Sequence, residues 1–186
     1  MINLRKLNDE FFEIVHLTSE ENLSDFSSSK GYGLEVYLKQ YALRDEGIKM
    51  SRTYLIKDVR SKQIVAYFTL RTGLITVSRG LLKGFDAYTG IELANFAVND
   101  AYKKANKMVE HLGAHIFYQF ILPLSLGIAE YIGAAYLYIF ALPNDRLMAH
   151  YETMGFGHTT EKMKRFIYSH VKPAYDKGCE FMWQKL

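Results

Sequence analysis

The segment "IFYQFILPLSLGIAEYIGAAYLYIFAL", residues 116–142, constrains the fold most. It carries one charge, Glu130, over a length that could span a bilayer. Three features argue against a span. Pro123, Gly127 and Gly133 punctuate it, Gln119 and Glu130 interrupt it, and its second part is rich in Tyr, Ile and Phe, as strands are. It reads as a buried helix, a glycine turn and a buried strand, so no membrane is expected as a partner. A buried pair of this kind needs a core around it. The 186 residues are enough for one domain, taken as 1–186, and 49% apolar with 23% charged residues is a globular composition.

The rest of the chain supplies further elements. "FFEIVHL" (11–17) predicts a first strand, and "TSEENLSDFSSSKGYG" (18–33) a loop. Residues 33–45 predict a helix with Leu34, Leu38 and Tyr41 on one face. "RTYLIKDV" and "QIVAYFTLRTG" predict two strands joined at the charged turn Asp58 to Lys62. Residues 74–90 are glycine-rich and read as an irregular connection. "IELANFAV" (91–98) predicts a strand with Glu92, Ala94, Phe96 and Val98 on one face, and "NDAYKKANKMVEH" a polar loop. A long helix from about His111 to Tyr131, the strand "AAYLYIFAL", a helix and two strands from the tail complete the order. This is an α/β fold: a mixed, mostly antiparallel sheet with one parallel crossover, flanked by helices.

The net charge of +3 is small and its basic residues are spread along the chain, so nucleic acid is not expected as a partner. A modest positive excess suits an anionic small molecule. Cys179 is the only cysteine, which excludes an internal disulfide and fits a reducing compartment. "MINLRKLNDEFFEIV" lacks a signal-peptide core, and the expected location is cytoplasmic. A homodimer is compatible with the sequence.

In "NDRLMAHYETMGFG" (144–157), Leu147, Met148, Tyr151 and Met154 share a helix face. Asn144 can cap the start and Gly155 can end it in a left-handed turn. Tyr151 then faces inward near the helix end, as a core aromatic or as a proton donor.

Three stretches carry a resemblance to the GCN5-related N-acetyltransferase superfamily. "LANFAVNDAY" is similar to the family's fourth strand, "HLGAHIF" lies where its pyrophosphate loop opens the long helix, and "NDRLMAHYETMGF" is similar to its N-x-x-A-x-x-x-Y-x-x-x-G-F signature. The resemblance runs from the first strand to about Phe156. It implies a central parallel strand pair that splays apart and transfer of an acetyl group from acetyl-CoA, the co-substrate, to an amine by direct attack on the thioester. No metal is implied.

By the same resemblance, backbone groups of Phe96, Ala97 and Val98 bond the pantetheine arm as an added strand would. His111, Leu112, Gly113 and Ala114 hold the pyrophosphate at the helix N-terminus. Asn144 contacts the cofactor, and Tyr151 protonates the departing thiolate, since its reference pKa of about 10 keeps it protonated. Some members carry a catalytic glutamate where Glu92 stands, so Glu92 is the candidate base; its alternative is a solvated or lysine-paired carboxylate.

The chain departs from the pattern in two places: Leu147 stands where the signature has alanine, with Ala149 two positions later, and the pyrophosphate loop differs. His111 replaces a glycine and Met108 a Gln or Arg, and the loop is longer than the family's. His111 can donate to phosphate or block it. His111 and His115 have a zinc-like spacing but no third ligand. His150 and His158 flank Tyr151 as relay candidates or surface imidazoles, and Phe166, Tyr168, Tyr175, Phe181 and Trp183 read as sheet packing. The acceptor is a small amine, a protein amino group or an aminoacyl-tRNA. The other reading is a non-catalytic member of the fold that binds a ligand or partner.

Overall fold

Strand β1 (Phe12–His16) buries Phe12 and Ile14 on alternate positions. It pairs antiparallel with β2 (Arg52–Asp58), Ile14 opposite Ile56. In turn, β2 pairs antiparallel with β3 (Ile64–Ser78), Leu55 opposite Tyr67. Asp58 builds the turn between them: its Oδ1 accepts from the N–H of Arg60 at 2.9 Å and of Ser61 at 2.7 Å. On β1 itself, the N–H of Phe12 donates to Asp9 Oδ1 at 2.6 Å and that of Ile14 to Asn8 Oδ1 at 3.0 Å. This computed structural model describes residues 2–29, 31–79, 84–106, 111–159, 167–168 and 178–186.

The remaining strands are β4 (Phe85–Val98), β5 (Tyr136–Ala141), β6 (Gly157–His158) and β7 (Glu180–Lys185). The hydrogen-bonded order is β1-β2-β3-β4-β5-β7-β6, with β4 and β5 parallel. The sheet is therefore mixed and mostly antiparallel, as expected. Two units make up the chain: Met1–Arg71 with Leu93–Gly127, and Thr72–Glu92 with Ile128–Leu186.

In the first unit, α1 (Tyr32–Val36) continues through a π segment (Tyr37–Tyr41) into α2 (Ala42–Gly47). The π segment moves the buried face on by one residue. Leu38 is buried as expected, but the next buried position is Ala42. Tyr41, expected on that face, is 41% exposed, with the Arg44 guanidinium 5.2 Å from its ring centre. Leu38, Ala42, Leu55 and Tyr67 share one apolar core with Phe26.

The expected polar loop after β4 contains a helix, α3 (Asp100–Ala105). Asn99 nucleates it by accepting from the N–H of Ala101 at 3.0 Å. Residues 107–110, including Met108, lie outside the described residues. The long helix follows as α4 (Leu112–Ile116), a π segment (Phe117–Ile121) and α5 (Leu122–Ile132). By length and composition it could cross a membrane; Ile116, Phe117, Phe120 and Ile121 are buried inside the protein.

In the second unit, β4 and β5 form three parallel pairs: Gly90↔Tyr136, Ile91↔Leu137 and Glu92↔Tyr138. Next, β5 pairs antiparallel with β7, Phe140 opposite Phe181. Ile75, Tyr138, Ile167 and Phe181 form the core, with Tyr168 and Trp183 against it. Residues 74–90, expected to be irregular, instead extend β3 to Ser78 and begin β4 at Phe85. Of the glycines in this stretch, Gly90 lies inside β4 and Gly84 just before it with φ 132°, while residues 80–83, Gly80 among them, lie outside the described residues. Of the two strands expected from the tail, β7 falls there and the short β6 precedes it. Phe166 and Tyr175 lie outside the described residues.

Candidate active site

Helix α6 (Asp145–Thr153) shows why the spacing in residues 144–156 matters. The Asn144 side chain caps it, accepting from the N–H of Leu147 at 3.1 Å. At the other end Gly155 takes φ 90°, a conformation that glycine adopts without strain. The chain turns back there, and the N–H groups of Met154 and Phe156 both donate to the Tyr151 carbonyl, at 3.0 and 3.1 Å. The Phe156 ring then meets Tyr151 edge-on at 5.6 Å. Tyr, Gly and Phe at these positions form one closed helix end.

Tyr151 is 8% exposed, and burial pushes its hydroxyl up to about 12 from the ordinary value of 10.0. Among the described residues its hydroxyl has no hydrogen-bond partner. A buried phenol of this kind keeps its proton and has it available for donation.

Glu92 is 4% exposed, and its Oε2 accepts from the Tyr138 hydroxyl at 3.2 Å. It is not a solvated carboxylate; a buried carboxylate needs such a donor. Tyr138 was not singled out in the sequence. Its signal was a tyrosine inside the apolar strand "AAYLYIFAL", but its partner is distant in sequence and requires the parallel register. Glu92, Asn144 and Tyr151 belong to the second unit. There, Glu92 and Tyr151 have separate partners.

The remaining candidates belong to the first unit. On β4, Ala97 is buried while Phe96 and Val98 are half-buried. His111 precedes α4 with φ 54°, the left-handed conformation that glycine takes freely, and its side chain is exposed. Leu112 is buried, Gly113 and Ala114 half-buried, and the N–H of His115 is bonded to the His111 carbonyl at 3.0 Å. The three amides before it are thus at the helix start, where intrahelical acceptors are lacking. His115 pairs with Asp9 at 2.8 Å instead of turning to His111. His158 is exposed and pairs with Glu152 at 2.6 Å. Among the described residues no group of three or more His, Cys, Asp or Glu side chains could hold a metal ion.

Taken together, the strand order, the parallel pair and the long helix that follows β4 define the GCN5-related N-acetyltransferase fold. The solved structures it matches include those of the toxin AtaT. A tyrosine-to-phenylalanine mutant of the toxin AtaT, bound to the C-terminus of the antitoxin AtaR and acetyl-CoA, superposes with TM-score 0.64 at 16% identity, over 95% of this chain and 94% of that one. AtaT complexed with acetyl-methionyl-tRNAfMet gives TM-score 0.63 at 16% identity, over 94% of each chain. The KacTA–DNA complex gives 0.57 at 16%, over 94% of this chain and 92% of that one. No family model matches the chain, and no curated protein matches it in sequence.

These structures overturn the expectation that nucleic acid is not a partner for a chain like this. Proteins of the same fold and nearly the same length are seen with DNA and with tRNA. The expectation rested on a small net charge, and net charge averages over the surface without reporting where positive groups gather.

Proposed function

We propose that this chain is a cytoplasmic acetyltransferase that moves an acetyl group from acetyl-CoA to an amine, and that the amine is carried by an aminoacyl-tRNA. The observation that carries the reading is Tyr151: a buried phenol, protonated and without a hydrogen-bond partner among the described residues, closing a capped helix in a fold that matches acetyl-CoA-bound AtaT over most of its length.

The chemistry needs few parts. The amine nitrogen attacks the thioester carbonyl carbon, the C–S bond breaks, and the amine's proton passes to Glu92 through water. The sulfur leaves as a thiolate and takes the Tyr151 proton. Backbone groups of Phe96, Ala97 and Val98 bond the pantetheine arm and polarise the thioester oxygen. The amides of Leu112, Gly113 and Ala114 receive the pyrophosphate, and His111 borders them. The Asn144 oxygen already serves the helix cap, so its amide nitrogen is the group left for the cofactor.

Calorimetry with acetyl-CoA, followed by CoA release with a bulk aminoacyl-tRNA preparation and with free amines, tests the proposal. Binding is expected in the low micromolar to sub-millimolar range, about −5 to −8 kcal/mol. CoA release is expected with aminoacyl-tRNA and not with uncharged tRNA. No binding at millimolar acetyl-CoA would favour a non-catalytic ligand-binding protein, a reading supported by the imidazole at residue 111. Turnover with free amines alone would leave the transferase and remove the RNA.

His111→Gly addresses that imidazole. A left-handed non-glycine residue costs about 1–2 kcal/mol. Glycine relieves this but loses about 0.5–1 kcal/mol of chain entropy. Stability is therefore expected to change by less than about 1 kcal/mol, with acetyl-CoA affinity equal or improved as the side chain is cleared. A tenfold loss of affinity in calorimetry would make the imidazole a phosphate ligand.

A further inference from the structure

We infer that Tyr138 is a positioning residue for the reaction, holding the Glu92 carboxylate in the orientation in which it accepts the amine's proton. This rests on the reading of Glu92 as the base. Glu92 and Tyr138 are directly opposed in the parallel ladder, so their side chains leave the same face of the sheet. Tyr138 is 1% exposed, and its hydroxyl donates to Glu92 Oε2 at 3.2 Å.

The path of the tyrosine is cleared by two glycines. A Cβ at Gly90 would lie 3.1 Å from the ring atoms Cδ1 and Cε1. One at Gly73 would lie 2.9 Å from Cζ and would overlap the hydroxyl itself. Both glycines sit inside strands, where each costs about 0.5–1 kcal/mol relative to alanine. The overlap at Gly73 concerns the hydroxyl, an atom that a core phenylalanine would not have. Phe181 at 5.5 Å and Phe140 at 6.1 Å hold the ring. A glutamate has three rotatable bonds, and a hydroxyl fixed in this way removes much of their freedom at the carboxylate. Precise placement of a reacting group by its neighbours is a known source of rate.

A four-member cycle tests the inference: the unmodified chain, Tyr138→Phe, Glu92→Gln and the double variant. CoA release is measured with saturating acetyl-CoA and the bulk aminoacyl-tRNA preparation as acceptor, with thermal melts alongside. Tyr138→Phe is expected to lower kcat at least tenfold, up to about 10²-fold, with KM for acetyl-CoA unchanged. In the Glu92→Gln background the same substitution is expected to change nothing, because the group it orients is gone. Equal losses in both backgrounds, or turnover of Tyr138→Phe within twofold of the unmodified chain, overturn the inference and leave the transferase reading standing. A Glu92→Gln variant of normal rate removes the base and this inference with it. An unmodified chain that releases no CoA with aminoacyl-tRNA or with free amines overturns the transferase reading itself.

Discussion

Replacing Tyr151 by phenylalanine should cut acetyl transfer by about 10²–10⁴, the range for a positioned general acid, and leave the fold intact. The hydroxyl bonds nothing among the described residues while the ring packs on Phe156, so removing the oxygen should change stability by no more than about 1 kcal/mol. The proton is retained through any ordinary assay, because burial holds the hydroxyl at about 12. The same shift has a sign in stability. The unfolded chain ionises this tyrosine near pH 10 and the folded chain only near 12, so the contribution is full below pH 10 and lost as the pH rises towards 12. That difference corresponds to about 2–3 kcal/mol. Tyr151→Phe should therefore resist alkali better than the unmodified chain in melts at pH 8 and pH 11. Tyr151→Ala, by contrast, should lose about 3–5 kcal/mol from packing. Near-normal CoA release by Tyr151→Phe would make this residue a core aromatic only.

Asn99→Ala should be the most damaging single change in the first unit, costing about 3–5 kcal/mol by the loss of a cap and the stranding of buried backbone groups. Asn99 is 3% exposed. Its Oδ1 accepts from the N–H groups of Ser27 at 3.2 Å and Ala101 at 3.0 Å. Its Nδ2 donates to the carbonyls of Asp25 at 3.2 Å and Ile64 at 2.8 Å. One amide thus joins the loop before α1, the start of β3 and the start of α3. The expected fall in Tm is about 10 °C for a chain of this length. Aspartate should not rescue it, because a second oxygen would face two carbonyls in place of two donors. A melt within 2 °C of the unmodified chain would show that the three segments are held by other contacts.

What could be read in advance depended on whether the cause was local. The α6 cap, the closed end at Gly155 and the inward Tyr151 are properties of one turn, so the spacing of Asn144, Tyr151 and Gly155 was enough. The turn at Asp58 was legible for the same reason. Helix α3 was not, because six residues carry no apolar period and the helix depends on the cap at Asn99. Residues 74–90 mislead because Gly90 reads as a breaker, whereas inside β4 it acts as space for another side chain. Tyr41 was placed on the wrong face because a 3.6-residue period cannot anticipate a π segment. At the site, Glu92 could be proposed from its position in the strand, but Tyr138 could not: its role exists only once two strands have paired in parallel.

The amides of Phe12 and Ile14 on β1 carry a consequence beyond this one molecule. The strand is the first in the order of the sheet, and a terminal strand with idle donors is a template on which a second chain can continue the ladder. Here Asp9 and Asn8 occupy those donors from the same chain. At these two positions a nascent or crowded population of these molecules meets donors already taken, which leaves a second strand less to pair with along this border.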